Sequence, residues 1–189
     1  MRRMIFSLLI LFVLLFNCNK GISPTEVENF PHSDLTFPIE IIGGDLSGNW
    51  LPQADNPLEA CLVDPDQLEG LVDSLILETS LSGSLSFNSD QTFTFYSFVI
   101  EITPTIITGP MTIPMPPFVE VLDTTAVYEQ PWSNAIIMPL ETQIFKIDTV
   151  GYSVNQDSLT LVTLPTGFPM FSTMEYYLIF RLIKSVHQP

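Results

Sequence analysis

The sequence predicts an all-β protein: an antiparallel, up-and-down, eight-stranded barrel with one short helix in its first long loop. Three observations carry this expectation. From about residue 46 onward, apolar residues recur at two-residue spacing, the period at which successive side chains of a strand point to opposite faces. Pro, Gly, Asn or Asp bounds each run and supplies turn geometry. Long and short connections alternate, so in an up-and-down arrangement the long ones gather at one end.

The first expected strand covers 46–52, "LSGNWLP". The stretch "DPDQLEGLVDSL", 64–75, reads as the helix. Asp64 caps it, Pro65 suits its first turn, and Leu68, Leu71, Val72 and Leu75 share a face. Strands at 75–87 and 91–103 form the clearest hairpin. Leu81, Gly83, Leu85 and Phe87 alternate with serines, "NSD" turns the chain, and Phe93 and Phe95 begin the return. Further strands are expected at 118–128, 133–138, 142–154, 158–164 and 174–184, with Pro139 marking the turn between the fifth and sixth. Connections of about 22, 14 and 9 residues then fringe one end, and short turns knit the other.

Ahead of the barrel domain, 45–189, lie two segments of other character. Met1-Arg2-Arg3 is a cationic start, and Met4 to Phe16 is an uncharged run of thirteen residues, too short to span a bilayer comfortably and suited to a signal segment, 1–17. Residues 18–44 are polar, acidic and Pro-bearing and read as a tether. The sequence Leu15-Phe16-Asn17-Cys18 resembles a bacterial lipoprotein signal. That resemblance implies cleavage before Cys18, diacylglycerol on its sulfur and a further acyl chain on its new amino group. It places the protein in the bacterial cell envelope, anchored to a membrane, the outer membrane by preference. Two acyl chains hold a protein on a bilayer essentially permanently. The alternative is a disulfide between Cys18 and Cys61, the two cysteines of the chain, after cleavage further upstream.

The formal charge is −15. Removing Arg2 and Arg3 leaves four basic residues against 21 acidic ones, −17. Such a surface repels phosphate backbones, which excludes nucleic-acid partners, and anionic headgroups equally. Catalysis has little to stand on: His32 lies in the tether and His187 near the C-terminus, so no histidine is placed to serve as a base. No phosphate-cradling glycine loop or nucleophile elbow appears. Asp64, Asp66 and Glu69 lie close together, but acidic residues at a helix start also answer its dipole, and no metal or cofactor is expected.

Gly48-Asn49-Trp50 resembles the Gly-x-Trp signature that opens the barrel of lipocalins and lipocalin-like proteins, while "LSFNSDQTFTF" and "YSVNQDSLTL" resemble hairpins of bacterial lipocalin-like lipoproteins. The likeness spans about 45–184. It implies a structural pair at the closed end, with Arg181 packed over Trp50.

Two expected open-end loops are apolar: there is no charge between Glu101 and Glu120, or between Asp157 and Glu175. They fold inward as a plug, line a pocket for a small lipid-like ligand, or form a patch for a bilayer or an envelope protein partner. The expected function is non-catalytic binding of a small apolar ligand at that end, with Phe95, Phe98, Ile106, Met111, Met115, Phe168, Met170 and Phe171 as contacts. The alternative is a structural or adhesive envelope module whose barrel is filled.

Overall fold

The structure, a computed structural model, describes residues 25–26, 36–64, 72–142, 146–168 and 171–185. Among them every regular element is a strand. Two short strands, β1 (Thr25–Glu26) and β2 (Thr36–Phe37), pair with each other. One antiparallel sheet takes the other twelve: β3 (Gly48–Pro52), β4 (Leu58–Leu62), β5 (Ser74–Phe87), β6 (Thr92–Thr108), β7 (Met111–Pro114), β8 (Phe118–Leu122), β9 (Thr125–Val127), β10 (Ala135–Glu141), β11 (Lys146–Asn155), β12 (Ser158–Thr163), β13 (Thr166–Phe168) and β14 (Phe171–Lys184). The hydrogen-bonded path runs β10-β11-β12-β14-β3-β5-β6-β7; β4 and β13 also pair with β14, and β8 and β9 with β6.

All eight expected strands overlap observed ones, but the expected closed eight-stranded barrel is corrected to a twelve-stranded sheet whose ladder does not close. Its two sides meet at an isolated bridge, Glu129 with Ile137, whose amides and carbonyls exchange bonds of 3.0 and 2.8 Å. Pro139 explains why pairing stops there. It has no N–H to donate, and the β10 register shifts between Ile137 and Leu140. Pro139 therefore lies inside β10, which runs on to Glu141, and does not separate two strands.

The stretch expected as an apolar loop after residue 103 is a β-hairpin. β6 continues to Thr108, Gly109 and Pro110 turn the chain, and β7 returns with Ile113 opposite Ile106. Pro punctuation suggested a loop, whereas the β-branched Thr and Ile between the prolines favour the strand. The second apolar stretch likewise forms the β13–β14 hairpin. Of the expected helix, 65–71 lies outside the described residues, while Ser74 and Leu75 begin β5.

The main core is aromatic: Trp50, Phe87, Phe93, Phe98, Tyr152 and Tyr176 are each at most 2% exposed. Burying each such side chain stabilises by roughly 1.5–3 kcal/mol. A bulge makes two of them neighbours. Between Ser82 and Ser84 the β5–β6 register shifts, with Gly83 at φ 89° and Ser97 at φ 45°. That extra residue returns Phe98 to the inward phase already held by Phe95, and their ring centroids lie 4.8 Å apart. A Cβ on residue 83 would lie 2.2 Å from the Ser97 carbonyl oxygen, so the bulge requires glycine.

A second core lies apart from the first. Phe37 and Ile41, 0% and 3% exposed, pack with Ala135, Val162 and Ile179. They belong to the end of the expected tether, which here runs as a strap against β11. The Gly43 amide donates to the Tyr152 carbonyl and the Gly43 carbonyl accepts from Val154, both at 2.9 Å. Gly151 makes room for the strap, since a Cβ there would lie 2.9 Å from Ile41 Cδ1 and 3.0 Å from the Phe37 ring.

Candidate functional site

At the middle of the main core the side chains leave a cavity of about 20 Å³, lined by Phe95, Phe98, Ile100, Leu122, Met138 and their neighbours on β11, β12 and β14. That is room for one water-sized group. The lining is apolar apart from Thr163, whose hydroxyl already accepts the Leu178 amide at 3.0 Å. A water there would find almost no polar partner, so the cavity is one that stays dry.

The expected contact residues separate into two places. Phe95 and Phe98 line this cavity. Ile106 and Met115 are half-buried on or beside the β6–β7 hairpin, and Met111 near its tip is 57% exposed. Ile106 lies eight residues along β6 from Phe98, roughly 25 Å at the rise of a strand, so these groups do not form one pocket. Phe168 and Phe171 are backbone partners across the β13–β14 hairpin, their side chains being outside the described residues together with all of Met170. Cys18 also lies outside them.

The closed-end pair is made with a different cation. Trp50 is fully buried and its indole N–H donates to the Leu46 carbonyl at 2.8 Å. Register places Lys184 directly opposite Trp50, and its Nζ sits 5.4 Å from the ring centroid. Arg181, three residues earlier, falls on the other phase of β14 and pairs with Glu59 Oε2 at 2.5 Å. The expected stack of Arg181 on Trp50 is thus replaced by Lys184, because side chains on a strand share a face only at even spacing. The Cys61 thiol, 9% exposed, donates to Glu59 Oε1 at 3.3 Å.

Sequence reasoning passed over Glu120. Ile100 opposite Glu120 puts this carboxylate on the face that lines the cavity, between Phe118 and Leu122 in the alternation of β8. Its signal is present in "FVEVL", an acid on the phase that otherwise carries the half-buried Phe118 and the buried Leu122.

The polar groups of the core are phenols and a few hydroxyls. Burial pushes the Tyr176 phenol up to about 12, and burial also raises Tyr128 and Tyr152. The Tyr152 hydroxyl donates to the Ser133 carbonyl at 2.8 Å and accepts from the Gln130 amide, tying the chain before β10 to β11. These phenols stay protonated and act as hydrogen-bonding struts. No family model matches the chain, and no curated protein or solved structure matches it.

Proposed function

We propose that the chain is a lipid-anchored, non-catalytic binding module of the bacterial envelope, built on a lipocalin-like wall that takes up the end of a slender apolar molecule. Eight up-and-down segments account for the sheet in this reading. β3 with β4 forms the first and β8 with β9 the fourth, and the Glu129–Ile137 bridge joins the fourth to the fifth. The single observation that carries the binding function is an apolar cavity behind a wall otherwise packed with aromatic side chains. Apolar hairpins at the far end, with Met111 and Ile113 57% and 40% exposed, add a surface that water solvates poorly. Attachment through Cys18 fits the apolar run that ends beside it.

A second reading is favoured by the size of the cavity. At about 20 Å³ the interior is largely filled, as in a structural or adhesive module that binds an envelope protein through its exposed hairpins. Native mass spectrometry of protein purified from its own host divides the two. A reproducible adduct of lipid mass supports the binder, and a bare protein supports the filled module. Carbonate-washed membranes test the anchor: the Cys18→Ser variant is released, and retention of that variant would refute lipidation.

A further inference from the structure

The wall is weakest where β9 faces β10. Every other neighbouring pair in the twelve-stranded sheet exchanges at least three register partners, whereas here a single bridge, Glu129 with Ile137, does the joining. Pro139 has no N–H with which to extend it. Beyond that bridge no ladder joins β8 or β9 to β10 among the described residues. The cavity is lined from both sides of this opening, by Leu122 of β8 and by Met138 of β10, which are 6% and 2% exposed.

Glu120 stands two residues from Leu122 on the same face. It is half-buried, and its carboxylate makes no ion pair or hydrogen bond with any described residue. A half-buried carboxylate on an apolar phase that no described residue pairs with can gain a charge-assisted hydrogen bond from a cation brought to it. The net charge of −15 concentrates cations around the molecule and repels anions. Met138 is unbranched at its β and γ carbons and can move aside at low cost, which a branched side chain in its place would not do.

We propose that this opening is the entrance to a site for small alkylamines: the hydrocarbon end passes between Leu122 and Met138 into the cavity, and the ammonium group rests on Glu120. The inference rests on the binding function proposed above and deepens it by naming a route and a ligand class. The route is the side of the wall, not its hairpin-fringed end. A chain whose terminal methyl fills the cavity and whose ammonium remains at the surface satisfies both ends of the site, which neither a fatty acid nor a plain alcohol does.

Methionine-methyl NMR of the chain from residue 18 onward, carrying Cys18→Ser, separates the possibilities because Met138 reports the opening while Met111 and Met115 report the hairpin. The probes are hexylamine, hexanol and hexanoate. Hexylamine is expected to shift Met138, hexanol to do so only at about tenfold higher concentration, the worth of one charge-assisted hydrogen bond, and hexanoate to have no effect. Glu120→Gln should bring hexylamine down to the level of hexanol. Glu101→Gln, the same charge change on the outward phase of β6, should leave the preference intact. An equal response to amine and carboxylate, or an amine preference that survives Glu120→Gln, overturns the proposal. Shifts confined to Met111 and Met115 sink the side entrance while keeping apolar binding at the hairpins, and silence from every methionine with all three probes sinks both.

Discussion

Replacing Gly151 with valine should lift the strap of residues 37–44 off the sheet. A Cβ alone at this position would come within 2.9 Å of Ile41 Cδ1 and 3.0 Å of two atoms of the Phe37 ring, and valine adds two methyl groups beyond it. Gly151 lies within β11 without a positive φ, so the backbone itself accepts a β-branched residue. The whole cost therefore falls on the contact with the strap. Overpacking of this kind costs about 1–3 kcal/mol, and at about 2 kcal/mol the undocked fraction rises roughly thirty-fold. Amide hydrogen exchange reads it directly: the Gly43 and Val154 amides, whose bonds tie the strap to β11, should exchange roughly thirty-fold faster. Amides paired between β5 and β6 should keep their wild-type rates, because they share no contact with the strap. Adding Phe37→Leu should return part of the protection by restoring space. Exchange within twofold of wild type at Gly43, in a folded variant, would refute the reasoning. So would equal acceleration in the β5–β6 hairpin, which would mean that the whole fold had been weakened.

Four further outcomes follow from the packing and exposure described above. Trp50→Ala should cost about 3–5 kcal/mol in urea unfolding, since it removes a fully buried indole, its bond to Leu46 and the seat of Lys184. Arg181→Ala should cost about 1–2 kcal/mol, because its partner Glu59 is already partly solvated. The Tyr176 phenol is raised in the fold from 10.0 to about 12, so its stabilising share is complete below pH 10 and is lost as pH climbs from 10 to 12. That loss is about 2–3 kcal/mol at roughly 1.4 kcal/mol per unit, and Tyr176→Phe should flatten this part of the stability profile measured by denaturation at pH 8 and pH 12. The double substitution Met111→Asp with Ile113→Asp should leave the unfolding midpoint nearly unchanged, both residues being exposed, while abolishing any adduct or partner that depends on the hairpin.

Much of the sheet was legible because alternation is a local signal. The serines between Leu81, Leu85 and Phe87, and the turn at Asn88 to Asp90, define the β5–β6 hairpin without reference to the rest of the chain. Proline was where local reasoning failed. Pro104 and Pro114 stand within β6 and β7, opposite Leu77 and Thr105 respectively, although prolines at that density suggest a loop. Pro139 was read as a turn and instead sits at a register shift inside β10, where its missing N–H ends the pairing with β9. β4, "LEACL", carries too little alternation to be seen alone and depends on five register partners along β14.

The site was less legible for the same reason. Phe95 and Phe98, expected beside Met111 and Met115 at the loop-fringed end, line the interior cavity instead, and the bulge at Gly83 and Ser97 explains how two residues three apart share that face. The resemblance points to Arg181, whereas counting the phase of β14 from Leu182 places Lys184 on the buried side. Phe37 and Ile41 sit among acids and prolines, and their burial depends on Gly151, more than a hundred residues away. Glu120 stands out only once Ile100 is known to lie opposite it.

Xenon-pressurised crystals test the central claim most directly, because xenon occupies dry apolar cavities and needs no polar partner. The account predicts one interior xenon atom, held among Phe98, Ile100, Leu122 and Met138 behind the opening between β9 and β10. An interior without xenon, or xenon bound only against Met111 and Ile113 on the hairpin, would contradict it.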